Sequence, residues 1–278
     1  MKNNASRFNT KIAMIIVIAF AALFLLTVLI WGIAMPNEAY DADFDNKFLA
    51  PCAEHIFGTD FLGRDMFFRC IKGLSNSLFI GVLSAVISSV IAVVLGIASA
   101  LFGGWVDKLV NLGVDMCMGL PHLVLLILIS CLAGRGIVGV TIAVSLTHWP
   151  SLTRIVRSEV LLIRNTTYVQ AAKKMGVSPI KIATGHIVPH VIPSFTVGLI
   201  LLFPHAIMHE AAITFLGFGL PKEMPALGVI LAESMNYITT GSWWLALLPG
   251  LLLMFTVILF NLIGENLRKL INPGSGNE

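Results

Sequence analysis

Apolar residues along this chain gather into long unbroken runs, with neither the alternation of a half-buried strand nor the one-sided stripe of a surface helix. Crossing a bilayer core about 30 Å thick takes roughly 20 apolar residues in a helix, and about six stretches read as such spans. The first extends from Ile12 to Ile33, and the second from Leu78 to Phe102, where Gly103 and Gly104 stop it. The third covers Leu109 to Leu132 with Pro121 inside, and the fourth follows a Gly134-Arg135-Gly136 turn from Ile137 to Leu152. The fifth runs from Val191 to Leu216 with Pro204 inside, and the sixth from Trp243 to Ile263. Trp243 and Trp244 stand where an interfacial aromatic belt is expected. The first run is too long for a cleaved signal and lacks a small-x-small site after it, so it reads as an uncleaved anchor. The pattern predicts an all-α, polytopic membrane protein with about six transmembrane helices.

Charge placement adds an orientation. Lys2, Arg7 and Lys11 precede the first span, and Arg154, Arg157, Arg164, Lys173, Lys174 and Lys181 stand against Glu159 alone between the fourth and fifth. Arg268 and Lys269 follow the sixth. Glu38, Asp41, Asp43, Asp45, Glu54, Asp60 and Asp65 dominate the segment after the first. Basic segments stay cytoplasmic, so both termini are expected inside and the acidic segment outside. The organisation expected is an amino-terminal anchor over 1–34, an extracytoplasmic segment over 35–76 and a membrane core over 77–267. That core includes a cytoplasmic loop at about 154–190, and a cytoplasmic tail follows over 268–278. Of the 278 residues, 57% are apolar and only 12% charged. An average soluble domain carries about 25% charged residues, so lipid is the solvent implied for much of this surface. Four cysteines in so long a chain exclude a disulfide scaffold, and a net charge of +3 without a basic aromatic run argues against nucleic acid as partner.

The basic loop carries the most specific pattern. It reads Tyr168-Val-Gln170-Ala171-Ala172-Lys-Lys-Met-Gly176, then nine residues, then His186-Ile-Val-Pro189. Two alanines allow close approach of a partner surface, and Gly176 permits a turn with positive φ. Ser178-Pro179 reads as the cap and first residue of a second short helix. The spacing resembles the coupling loop of permease subunits of binding-protein-dependent ABC importers. That resemblance assigns Gln170, Ala171, Ala172, Gly176, His186 and Pro189 to docking on an ATP-hydrolysing subunit. Gln170 stands where the family usually has Glu, which removes a carboxylate and keeps an amide able to hydrogen-bond.

A second stretch, Gly58-Thr59-Asp60-Phe61-Leu62-Gly63-Arg64-Asp65 and onward to Arg69, resembles a segment after the first span in peptide and nickel permeases. Its glycines suit turns, and its alternating Asp and Arg suit ion pairs. Read as exposed pairs, these contribute position rather than stability. The two resemblances cover nearly the whole chain and imply the type I ABC importer (MetI-like) permease fold in a bacterial inner membrane. They also imply a second permease, two ATPase subunits and an extracytoplasmic solute-binding protein as partners. No Gly-x4-Gly-Lys-Ser/Thr phosphate loop occurs in the sequence, so no cofactor is expected on this chain and ATP is used by the partner subunits.

Polar side chains at membrane depth are costly and mark pathways or paired contacts. They are Asp115, His122, His148, His205, His209 and Glu210, and all but Asp115 are candidates to line a substrate pathway. His205 and His209 are four apart and share a helical face, a spacing that suits two ligands for transient contact with one borderline metal ion. The His205–Gly217 stretch and His148-Trp149 resemble the nickel branch of the family. The cargo implied is nickel or a metal chelate, with a di- or oligopeptide as the alternative. Packing between helices as satisfied polar groups is the other reading of each histidine. An ion-coupled secondary transporter is the alternative class: Pro121 and Pro204 mimic paired broken helices, but the halves do not otherwise resemble one another. A zinc protease is excluded because His209-Glu210 is followed by Ala211, Ala212 and Ile213 without a second histidine. Cys52 and Cys70 either pair in an oxidising compartment or stay free, and Cys117 and Cys131 read as packing residues.

Overall fold

The computed structural model describes residues 2–271; Met1 and the end of the expected tail, from residue 272 onward, lie outside the described residues. Ten α-helices among the described residues carry the fold: α1 (Lys2–Ala34), α2 (Met66–Phe102), α3 (Gly104–Gly119), α4 (His122–Leu132), α5 (Gly136–Arg164), α6 (Thr167–Lys174), α7 (Pro179–Ile182), α8 (Val188–Phe215), α9 (Leu227–Ser234) and α10 (Trp244–Ile271). By length and composition, α1 from Lys11, α2, the continuous 179–215 segment and α10 suffice to cross a membrane, and α3 with α4 makes a fifth if counted as one bent span.

The expected third span is not straight, and its two halves meet at 102°. Pro121 is the cause: it crowds the backbone before it, so Leu120 turns extended at ψ 148° and α3 ends at Gly119. Pro204 has no such effect, since α8 passes both Pro193 and Pro204 without a break. The expected fourth span ends at Leu152, but α5 continues to Arg164, so Arg154, Arg157 and Arg164 are helical rather than part of a loop. Helix α5 is 29 residues long and still not apolar enough to count as a span, because it threads the bundle with Thr141, Ser145, Thr147, His148 and Thr153 buried.

Lipid tails give helices no hydrophobic reason to associate, so close packing must hold them together. Helix α2 answers with small residues at every fourth position, Ser84, Ser88, Ala92, Gly96 and Ala100, all buried. The facing helix α5 comes so near that a Cβ on Gly96 would lie 2.8 Å from the Val156 side chain and 3.0 Å from the Thr153 carbonyl. The two run parallel, since Thr153 Oγ1 donates to the Ala92 carbonyl at 3.4 Å and Arg164 Nη1 to the Ala100 carbonyl at 2.6 Å. Beyond α2, Arg157 grips Asp107 of α3 through two bonds of 2.7 Å each, a forked pairing that ties α3 to α5. One apolar core joins α2, α5, α8 and the 167–187 elbow. A second joins α1, the first half of α2, α9 and α10. Helix α1 buries Ala21 and Val28 there while Ile16, Phe20, Leu23 and Ile30 face outward, as a lipid-facing anchor does.

Candidate functional site

At one end of the bundle, α6 and α7 form the helical elbow that the sequence predicts. Gly176 adopts φ +78°, its N–H donates to the Lys173 carbonyl, and Val177 N–H closes back on Ala172. Ser178 caps α7 by accepting from Lys181 N–H, with Pro179 in its first turn. Val169, Ala172 and Ile182 anchor the elbow in the core, while Tyr168, Met175 and Ile180 stand 42%, 76% and 70% exposed. Ala171 is exposed and His186 packs its ring 5.8 Å from that of Tyr168; Pro189 lies in the first turn of α8. Gln170 turns inward, and its amide donates to the Arg164 carbonyl at 3.0 Å, joining the elbow to the end of α5. Tyr168, Met175 and Ile180 are thus exposed apolar side chains on a capped turn with a buried base.

At the opposite end, residues 58–69 organise around buried charge. Asp60 and Arg69 are 2% and 3% exposed, so the expectation of exposed, weakly stabilising pairs is corrected. Asp60 Oδ2 takes Arg64 Nε at 2.7 Å and Arg69 Nη1 at 2.9 Å. Glu233 of α9 completes the network, receiving Arg69 Nη2 at 2.5 Å and Arg64 Nη2 at 3.2 Å. Glu233 carries no signal in its local sequence; its partner Arg69 is 164 residues away. Asp65 caps α2 by accepting from the N–H groups of Phe67 and Phe68, and also pairs with His55 at 2.8 Å. Thr59 bonds the backbone of Asn46 and Leu49 and receives Trp244 Nε1 on its carbonyl. Gly58 and Gly63 are required by space as well as by φ: a Cβ would lie 2.5 Å from the Leu49 carbonyl oxygen and 1.6 Å from that of Asp43. Cys52 is exposed and Cys70 buried, and neither is bonded to the other.

Between these ends the polar residues at membrane depth separate into two groups. The α3–α4 break places His122 at the start of α4, beside His148 of α5 and His209 of α8. Their ring centroids are 4.4 to 5.0 Å apart, and all three line a cavity of about 280 Å³ together with Met118, Thr147 and His205. His205 is exposed at that cavity, and it is His122 and His148, rather than His205, that draw close to His209. Glu210 faces away: it is fully buried and accepts from Thr214 Oγ1 at 3.0 Å, outside the histidine cavity. Asp115 pairs with Arg154 at 2.8 Å on an exposed surface. No metal or substrate chemistry is needed to see why sequence spacing missed the cluster, since its members come from three helices.

Residues 92–276 match the family described as binding-protein-dependent transport system inner membrane component. The chain is 33% identical to the dipeptide transport system permease protein of Bacillus subtilis, over 91% of this chain and 80% of that one. It is 32% identical to the oligopeptide transport system permease protein of the same organism, over 98% and 89%. A solved chain of the MetNI methionine ABC transporter, in an inward-facing conformation, superposes with a TM-score of 0.62 at 17% identity, over 74% of this chain and 97% of that one. That likeness establishes the type I importer permease fold. With an all-helical membrane bundle, the elbow and these relatives in view, the chain belongs to the binding-protein-dependent transport system inner membrane components, the permease subunits of ABC importers.

Proposed function

We propose that this chain forms half of the translocation pathway of an importer in a bacterial inner membrane, with a second permease completing the pore. Two ATPase subunits dock on α6–α7 and use the ATP, and a solute-binding protein delivers cargo at the end that carries residues 35–65. Both termini then lie on the ATPase side, in keeping with Lys11 at the start of the first apolar span and Arg268 and Lys269 in the last turn of α10. The observation that carries the reading is the capped elbow with Tyr168, Met175 and Ile180 turned outward from a buried base. Such a rigid lever passes motion of a docked subunit into α5 and α8 without folding in between. Peptides are the cargo class that the relatives favour, since two of them are named for dipeptide and oligopeptide transport. Nickel specificity draws no support from those names.

A cysteine replacing Met175 in the complete importer is expected to crosslink to an ATPase subunit, and ATP is expected to drive peptide uptake into vesicles holding that complex. Crosslinks that reach only lipid or the solute-binding protein would overturn the docking. Uptake that follows a proton or sodium gradient and ignores ATP would overturn the importer reading.

A further inference from the structure

We infer that a cavity between the elbow and the ends of α2 and α5 holds the phosphate of an anionic phospholipid from the cytoplasmic leaflet, gripped by Arg164 and Lys173. The cavity has a volume of about 230 Å³. Its walls include Leu101 at the end of α2, Arg164 at the end of α5, and Gln170, Lys173, Val177 and Ile182 of the elbow. Pockets that enclose a whole drug-sized molecule start at roughly 300 Å³, so this one suits a headgroup whose chains stay outside.

Two cations meet there without a counter-ion. Neither Arg164 nor Lys173 has an ion-pair partner among the described residues. Arg164 Nη1 donates to the Ala100 carbonyl at 2.6 Å, which fixes the guanidinium on the last turn of α2 and leaves its other N–H groups for a ligand. Gln170 is neutral, and its amide is committed to the Arg164 carbonyl at 3.0 Å. No acidic side chain lines the cavity. A guanidinium and an ammonium set beside apolar walls complement the oxygens of a phosphate. Basic pockets between helices on the cytoplasmic side of a membrane take lipid headgroups in this way.

Two observations favour a lipid over an acidic side chain of the docked ATPase. The first is the geometry of α6, whose proposed docking face carries Tyr168 and Met175. Lys173 follows Tyr168 by five residues and Gln170 by two, about 140° and 200° around the helix. The cavity thus lies on the other side of α6 from the docking face. The second is the apolar surface that adjoins it. Phe102, next to Leu101, is 60% exposed, and Leu162, two positions before Arg164, is 74% exposed, a surface suited to acyl chains. A phosphate bridging Arg164 and Lys173 ties the end of α5 to α6, the joint through which the elbow moves the bundle. Placing the cavity at the cytoplasmic leaflet rests on the importer reading above; the phosphate site itself does not.

The test uses the complete importer, stripped of native lipid in detergent and titrated with phosphatidylglycerol or phosphatidylcholine, with native mass spectrometry counting the lipids held. Wild type is expected to hold phosphatidylglycerol in preference to phosphatidylcholine. Lys173→Gln and Arg164→Gln are each expected to weaken that hold about fivefold, as removal of one cation near a headgroup does. Lys173 is exposed, so its substitution leaves the fold intact, and Arg164→Lys is expected to retain most of the hold because it keeps the charge. Lys181→Gln removes an exposed cation of the same elbow outside the cavity and is expected to change nothing. Equal retention of phosphatidylglycerol by wild type and Lys173→Gln overturns the site, as does equal retention of the two lipids by wild type. Inorganic phosphate at equal concentration is expected not to displace the lipid; full displacement overturns the lipid and leaves a free phosphate as ligand. An Arg164→Gln importer that sheds its ATPase subunits yet holds phosphatidylglycerol like wild type overturns the lipid in favour of an ATPase carboxylate. ATP hydrolysis in nanodiscs, driven by loaded solute-binding protein, separates the failures. A coupled importer whose lipid retention ignores Lys173 and Arg164 sinks the site alone, and a chain that holds lipid through them but never couples to an ATPase sinks the importer reading alone.

Discussion

Buried charge decides how residues 58–69 behave. A surface pair between Asp and Arg is worth little, but Asp60 and Arg69 lie almost wholly out of water, where breaking a pair leaves a charge unsolvated. Asp60→Asn keeps the shape and Oδ1, which accepts from the N–H groups of Leu62 and Arg64, and replaces the charged oxygen that receives Arg64 and Arg69. Two guanidinium groups then face an amide, with Glu233 left as their carboxylate partner. The expected cost is about 3 kcal/mol, read as a lowered thermal unfolding midpoint of the chain in detergent. A variant as stable as wild type would show that the network orders the segment without stabilising it. Gly63→Ala is expected to act by a different route, because its Cβ would sit 1.6 Å from the Asp43 carbonyl oxygen and the Asp43 backbone must move. Gly103→Ala is the comparison: φ is +61° there too, but nothing lies within 4 Å. Limited proteolysis is expected to cut residues 35–65 faster in the first variant than in the second.

Elements were legible wherever a local pattern has a local cause. The apolar runs give α1, α2, α8 and α10, and the Gly176 and Ser178-Pro179 signals give the elbow, because caps and turns are set within a few residues. What the sequence hid depends on contacts between distant segments. Helix α5 reads as a short span plus a basic loop because its polar residues are not visibly buried until α2 and α3 pack on it and Arg157 meets Asp107. Pro121 signals an interruption but not a 102° bend, and without the bend His122 has no reason to join histidines of two other helices. The His205–His209 spacing was visible and pointed to the cavity, yet the close partners of His209 lie 61 and 87 positions away by number, at His148 and His122. Met175→Asp with Ile180→Asp places two charges on the exposed apolar surface and leaves the base formed by Val169, Ala172 and Ile182 untouched. The complex is expected to lose transport-coupled ATP hydrolysis by at least about tenfold, since an unpaired charge in an apolar interface costs a few kcal/mol. Membrane insertion is expected to be unchanged, which immunodetection in the membrane fraction checks; normal coupled hydrolysis would remove the elbow from the docking surface.

Across the whole molecule, two kinds of exposed surface have to be told apart. Phe20 of α1 is 62% exposed on a helix whose other face packs on α2 and α10, an apolar surface suited to lipid. His205 is exposed as well, but it stands on the wall of a cavity lined by Thr147, Ser151 and three further histidines. Such polar lining at membrane depth is stable only against water, cargo or another polar surface. The proposed half-pathway requires a wet face there, and the two positions make that measurable. In a background with the four native cysteines replaced, a cysteine at 205 is expected to react with a charged, membrane-impermeant thiol reagent at least about tenfold faster than one at 20, because thiolate forms in water and not in lipid. Trapping the ATPase subunits in their nucleotide-bound state is expected to change the rate at 205 and leave that at 20 alone, if the proposed pathway opens to alternate sides. Equal, slow reaction at both positions would mean that α8 presents His205 to lipid. The cavity would then be a packing defect, and the route for cargo would have to run along a different face of α5.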